Sequence, residues 1–94
     1  MPPEALRARA RDSVVSRVID GQAVLVALDE HVVHELNAVG SRVWELMPSH
    51  TVGEMADRIC TEFEVDRPTA VADIVRFLEQ LRKAGMVDLE GAAP

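Results

Sequence analysis

The chain has 94 residues, 48% of them hydrophobic and 28% charged, with a net charge of −6. That composition suits one soluble globular domain and excludes a disordered chain, and no apolar run approaches the roughly 20 residues of a membrane span. The charge is uneven: Arg7, Arg9, Arg11 and Arg17 outweigh Glu4 and Asp12 over residues 1–17, whereas the remainder carries six basic against fourteen acidic side chains. An acidic body repels a phosphate backbone, so nucleic acid is a disfavoured partner. One cysteine, Cys60, excludes an intramolecular disulfide and a multi-cysteine metal site, and its place on an apolar helix face reads as a buried thiol. "MPPEALRARARD" lacks the apolar segment of a secretory signal, which makes the cytoplasm the default location.

Residues 1–12 show no clear periodicity and are expected as a flexible arm. Two β-branched and aliphatic runs, 14–19 and 22–28, then flank Asp20-Gly21. An Asp-Gly pair between such runs predicts a hairpin, because a type I′ turn needs positive φ at both central residues. Asp29-Glu30 turns the chain into a third run, 31–36. The expected unit is a three-stranded antiparallel meander.

"HELNAVGSRVWELM" follows. Asn37 is an expected N-cap, and Val39, Val43, Leu46 and Met47 recur at helical spacing. Gly40, four residues before Trp44, leaves room for the indole. This first helix, 38–47, stops before Pro48. Thr51 and Glu54 predict a capping box for a second helix, whose Val52, Met55, Ala56, Ile59, Cys60 and Phe63 form one apolar face. A third helix begins near Asp66, with Pro68 in its first turn, and ends at Gly85. "MVDL", 86–89, returns as a short extended segment, and 90–94 are expected as a disordered tail. Three strands and then three helices predict an α+β, winged-helix-like domain over residues 13–89.

Chemistry-bearing patterns are sparse. His31 and His34 lie three apart on a predicted strand and face opposite ways, which argues against a shared metal. Phosphate loops, nucleophile elbows and zinc-protease motifs are missing from the sequence, so neither an enzyme nor a cofactor is expected. Glu54–Arg58 and Glu79–Lys83 read as i, i+4 pairs on polar helix faces. The third helix says more. Phe77, Leu81 and Ile74 lie on one flank of its apolar arc, Leu78 and Val71 near the centre, and Val75 on the opposite flank beside Arg82. The arc spans roughly 160°, against the roughly 100° that one core contact needs. Either the helix is buried on two sides, or Val71, Val75 and Leu78 overhang the core as one wall of a groove. With an edge strand as the other wall, such a groove suits an extended peptide.

"HELNAVGSRVWEL", "TVGEMADRICTEFEV" and "AVADIVRFLEQLRKAGMV" together resemble the PqqD family of peptide chaperones. The resemblance covers about residues 13–89 and rests on Leu36-Asn37, Val43-Trp44, Thr51-Val52-Gly53-Glu54-Met55, Asp73-Ile74, Phe77-Leu78, Leu81 and Gly85-Met86-Val87. Met47-Pro48-Ser49-His50 departs from the Leu-Asp-Gly turn usual in the family, and His34 replaces an aromatic found in several branches. The resemblance implies a recognition domain for ribosomally made, post-translationally modified peptides (RiPPs), of winged-helix shape but binding a leader peptide. The leader adds as a strand on the third strand's edge and packs on the third helix. A separate tailoring enzyme, often a radical S-adenosylmethionine protein, then modifies the precursor. Carried over, the peptide-binding residues are Val32, Val33, His34, Glu35 and Leu36 on the strand and Val71, Val75, Leu78 and Arg82 on the helix, with Leu36 and Leu78 also candidates for the core. The expected partners are a leader and an enzyme, with no membrane, and the chain a monomer or homodimer. A DNA-binding regulator and a structural dimerisation subunit are the alternatives.

Overall fold

The N-terminal segment is a strand, not a loose arm. In the computed structural model, which describes residues 3–29 and 31–91, a 3-10 turn at Pro3–Ala5 leads into β1, Arg7–Ala10. It pairs antiparallel with β5, Val87–Glu90, so that Ala8 lies opposite Leu89 and Arg9 opposite Asp88. The alternation of "RARA" explains the pairing: Ala8 is buried and Ala10 half-buried, while Arg7 and Arg9 face solvent. Leu6 adds a cap, its carbonyl accepting from the free amide of Val52 at 2.8 Å. The domain therefore extends N-terminal to residue 13. Glu90, expected in the tail, closes β5; residues 1–2 and 92–94 lie outside the described residues.

The predicted meander forms β2 (Val14–Ile19), β3 (Gln22–Ala27) and β4 (Val32–Glu35), in that spatial order. Asp20 and Gly21 have φ of 52° and 79°, as the type I′ turn requires. His31 also sits at positive φ, 54°, in the turn before β4 instead of on the strand. On central β3, Ala23, Leu25 and Ala27 point into the core while Val24 and Val26 face outward.

The helices are α1 (Ala38–Leu46), α2 (Val52–Glu62) and α3 (Arg67–Lys83). Asn37 caps α1 through Gly40 N–H at 2.7 Å. Thr51 and Glu54 form the reciprocal capping box on α2, and Asp66 caps α3 through Thr69 N–H at 3.1 Å. Glu54 is therefore held by the Thr51 backbone, not Arg58, and Glu79 pairs with Arg82, not Lys83. Gly85, at φ 79°, ends α3 with Met86 N–H donating to the Leu81 carbonyl at 2.9 Å. Arg67 ties three segments together, reaching Glu4 at 2.6 Å and Asp57 at 2.7 Å. One core runs from Ala8 and Leu25 through Met47, Met55 and Ile74 to Met86 and Val87.

Candidate functional site

The free edge of β4 is open in a defined register. Leu36 N–H donates to the Ala23 carbonyl at 2.9 Å, so these two residues form a hydrogen-bonded pair. Antiparallel pairs alternate, which makes His34 with Leu25, and Val32 with Ala27, the next bonded pairs. The N–H and C=O groups of Val33 and Glu35 consequently point away from β3, toward the unpaired edge. Side chains follow the same alternation. Val32 and His34 face inward and are half-buried, whereas Val33, 60% exposed, and Glu35 lie on the outer face. Leu36 is buried at 6% exposure and belongs to the core.

Ser41 determines how β4 leaves the sheet. It is the one buried polar residue among the described residues. Its Oγ accepts from Ala23 N–H at 2.8 Å and donates to the Leu36 carbonyl at 3.4 Å, standing between two groups that would otherwise bond to each other. The hydroxyl ends the ladder without leaving a buried backbone group unpaired, and the chain bends into α1.

Helix α3 presents opposite flanks to opposite neighbours. Phe77 packs over α1: a methyl group added at Gly40 would stand 3.2 Å from Phe77 Cε1. The room Gly40 makes is thus for Phe77 and not, as expected, for Trp44, which is half-buried. At the other end, Gly85 shares a hollow with Ala27 and Asp29, where β4 begins. Helix α3 thus runs from α1, at Phe77, to the turn that precedes β4, at Gly85. At about 100° per residue, Phe77 and Ala84 share one flank of α3, and Phe77 turns it toward α1.

Val71 faces elsewhere. It lines a hollow with Pro3, Glu4, Arg67 and Pro68. Val75 follows one turn later on that same flank, half-buried against the core. Helix α3 packs on the 3-10 turn at Pro3–Ala5 and on β5. Leu78 is 1% exposed and is core. Arg82 is exposed and held to Glu79 at 2.8 Å. The wide apolar arc is thus that of a helix packed on two sides. Of the nine expected residues, the structure gathers Val32, Val33, His34 and Glu35 at the open edge. It takes Leu36 and Leu78 into the core and turns Val71 and Val75 away. The 3-10 turn that meets the Val71 flank comes from residues 1–12, which were expected as an arm.

Beyond the end of β4, a cavity of about 470 Å³ opens between α1, the end of α2 and α3. Val39, Phe63, Val65 and Phe77 line it over buried Ile59 and Ile74, with Asn37, Glu64, Asp73 and Arg76 at its polar margin. Asp73 and Arg76 pair with each other. Nearby, Arg42 grips Glu62 through two bonds of 2.8 and 2.9 Å, which holds the Glu62 carboxyl below the usual carboxylate range. No cluster of His, Cys, Asp or Glu able to hold a metal occurs among the described residues, nor is any helix among them long and apolar enough to cross a membrane. The arrangement offers backbone pairing and apolar contact.

The structure is similar to two solved proteins. One is TbiB1 in complex with the TbiA(beta) leader peptide, with a TM-score of 0.80 and 39% sequence identity over 92% of this chain and 99% of that one. The other is a lasso peptide synthetase B1 complexed with the leader peptide, with a TM-score of 0.79 and 25% identity over 87% of this chain and 98% of that one. No curated protein matches the chain. The family model for coenzyme PQQ synthesis protein D (PqqD) matches residues 22–87, from the start of β3 to the start of β5. The meander, the three helices and this match together establish that the chain belongs to the PqqD family.

Proposed function

We propose that this protein binds the leader of a ribosomally made precursor peptide as an additional strand on β4 and presents it to a separate modifying enzyme, without catalysing a reaction itself. The observation that carries the reading is the open register of β4: Val33 and Glu35 offer two N–H and two C=O groups to an incoming backbone. Main-chain bonds supply affinity in this mode, and alternate side chains supply specificity. Peptide residues opposite Val32 and His34 point inward toward α3, and those between them point outward with Val33 and Glu35. Both similar solved proteins hold leader peptides, which supports the same ligand class here. The enzyme is a separate chain, for which a radical S-adenosylmethionine protein is the family's usual example, and the work is done in the cytoplasm, where the precursor is synthesised.

Titration calorimetry tests the reading with the leader of a precursor peptide encoded in the same gene neighbourhood and a scrambled peptide of equal composition. The leader is expected to bind and the scrambled peptide to bind at least tenfold more weakly. Equal affinity for the two would overturn it.

A further inference from the structure

Five large apolar side chains stand exposed among the described residues: Val15, Val18, Ile19, Leu28 and Val33. The register of the meander puts four of them on one face. Ala23, Leu25 and Ala27 point into the core, so the cross-strand rows between them point outward. One outward row is Val15–Val26–Val33, and the next is Arg17–Val24–Glu35. Ile19, opposite Gln22, and Leu28, whose N–H donates to the Ser13 carbonyl at 2.9 Å, extend this face at its two ends. Val18, paired with buried Ala23, is the exception and lies on the other side of β2. Contiguous exposed apolar surface marks a contact site. The two charged residues in these rows, Arg17 and Glu35, are of opposite sign and sit on opposite edge strands. Neither takes part in an ion pair among the described residues.

We propose that this outer face of the meander binds a second copy of the chain, sheet against sheet, about a two-fold axis parallel to β3 and midway between the two faces. The inference goes beyond leader binding and does not rest on it. Such an axis exchanges the two edges of the sheet and keeps position along the strands, so β2 of each copy lies over β4 of the other. Arg17 then meets Glu35 of the second copy and Val15 meets its Val33, each contact occurring twice. Val24 and Val26, on the central strand, meet themselves. Opposite charges at exchanged positions of one row are what a self-complementary contact requires, and they identify the occupant as a second copy. Sheets stacked face to face lie about 10 Å apart with strands within about 30° of each other. At the edge strands, about 4.8 Å from the axis, that rotation displaces a side chain by roughly 3 Å, less than the spacing of about 6.7 Å between rows. Each row therefore stays over its counterpart. Three strands of six residues make a face of about 15 by 20 Å. Two copies then bury on the order of 1,000 Å², the lower limit of specific interfaces, which suits association in the micromolar range. The free edge of β4 lies in the plane of the sheet and stays open in the pair.

Sedimentation equilibrium of the native chain from about 1 to about 500 μM, with no peptide present, provides the test. A monomer–dimer equilibrium with a micromolar Kd is expected. Arg17→Glu sets like charges against each other at both edges of the pair, and so does Glu35→Arg, so each alone should weaken dimerisation at least about tenfold. Mixed in equal amounts, the two variants should pair with each other at near-native affinity, because every edge contact of the mixed dimer again joins opposite charges. Val15→Lys should weaken the dimer as well. Val18→Lys, at a more exposed position on the other side of β2, should leave it within about twofold of native. If a charge variant does not fold, Val15→Lys and Val18→Lys still decide the face. A native chain that stays monomeric throughout overturns the proposal and leaves the face to another protein. A dimer that Arg17→Glu and Val15→Lys do not weaken also overturns it, as does a weakening that the mixture fails to reverse. Since no peptide is present, none of these outcomes bears on strand addition at β4.

Discussion

Proline at neighbouring positions of β4 separates folding from binding, because adjacent N–H groups point opposite ways. Val33 N–H faces the free edge and makes no bond to β3, so Val33→Pro removes nothing internal. Its folding cost is about 1 kcal/mol or less, since the strand already suits an extended residue before proline and the substitution lowers the entropy of the unfolded chain. His34 N–H by contrast bonds to the carbonyl of Leu25, a residue with no exposed surface. His34→Pro breaks that bond and leaves a buried acceptor unpaired, a loss of about 3 kcal/mol or more. Binding reverses the order. In Val33→Pro the peptide carbonyl aimed at residue 33 loses its donor and meets a ring, a penalty of about 1–3 kcal/mol, or roughly five- to 150-fold in affinity. Denaturant melts measure the first effect, and titration calorimetry with a leader bound by the native chain measures the second. A folded Val33→Pro protein with native affinity would refute strand addition at β4.

Val75→Asp should destabilise the fold by about 2–3 kcal/mol, because it sets a carboxylate at a half-buried position packed against the core; a denaturant melt equal to native would return Val75 to an open groove. Ser41→Ala should cost about 2 kcal/mol in the same assay, since Ala23 N–H and the Leu36 carbonyl both lose their partner. Deleting residues 1–10 strips β5 of its pairing strand and Val52 N–H of its acceptor, and a loss of at least about 2 kcal/mol is expected. An unchanged melt would mean that the segment contributes nothing.

The parts of this fold legible in the sequence are those with strong local chemistry. Asp20-Gly21, Asn37, the Thr51–Glu54 box and Gly85 each demand one backbone geometry, and all four adopt it. What escaped was non-local. "RARA" has too little apolar bulk to signal a strand, and only β5, nearly eighty residues away, makes it one. That miss propagated to the site. With residues 1–12 read as an arm, the sequence leaves open whether the wide arc of α3 is packed on two sides or forms a groove wall, and the 3-10 turn beside Val71 is what decides it. The edge position of β4 and its alternation are legible, because both follow from the meander itself. Leu36 lies one residue past that strand, where Ser41 draws its carbonyl into the interior.

Amide hydrogen exchange on β4, with and without a bound leader peptide, tests strand addition most directly. In the free protein the N–H groups of Val33 and Glu35 should exchange rapidly and that of His34 slowly, since only His34 is bonded to β3. On binding, Val33 and Glu35 should become protected by at least about tenfold, the slowing a new hydrogen bond worth 1.4 kcal/mol produces. Binding that leaves both amides in rapid exchange would contradict the account.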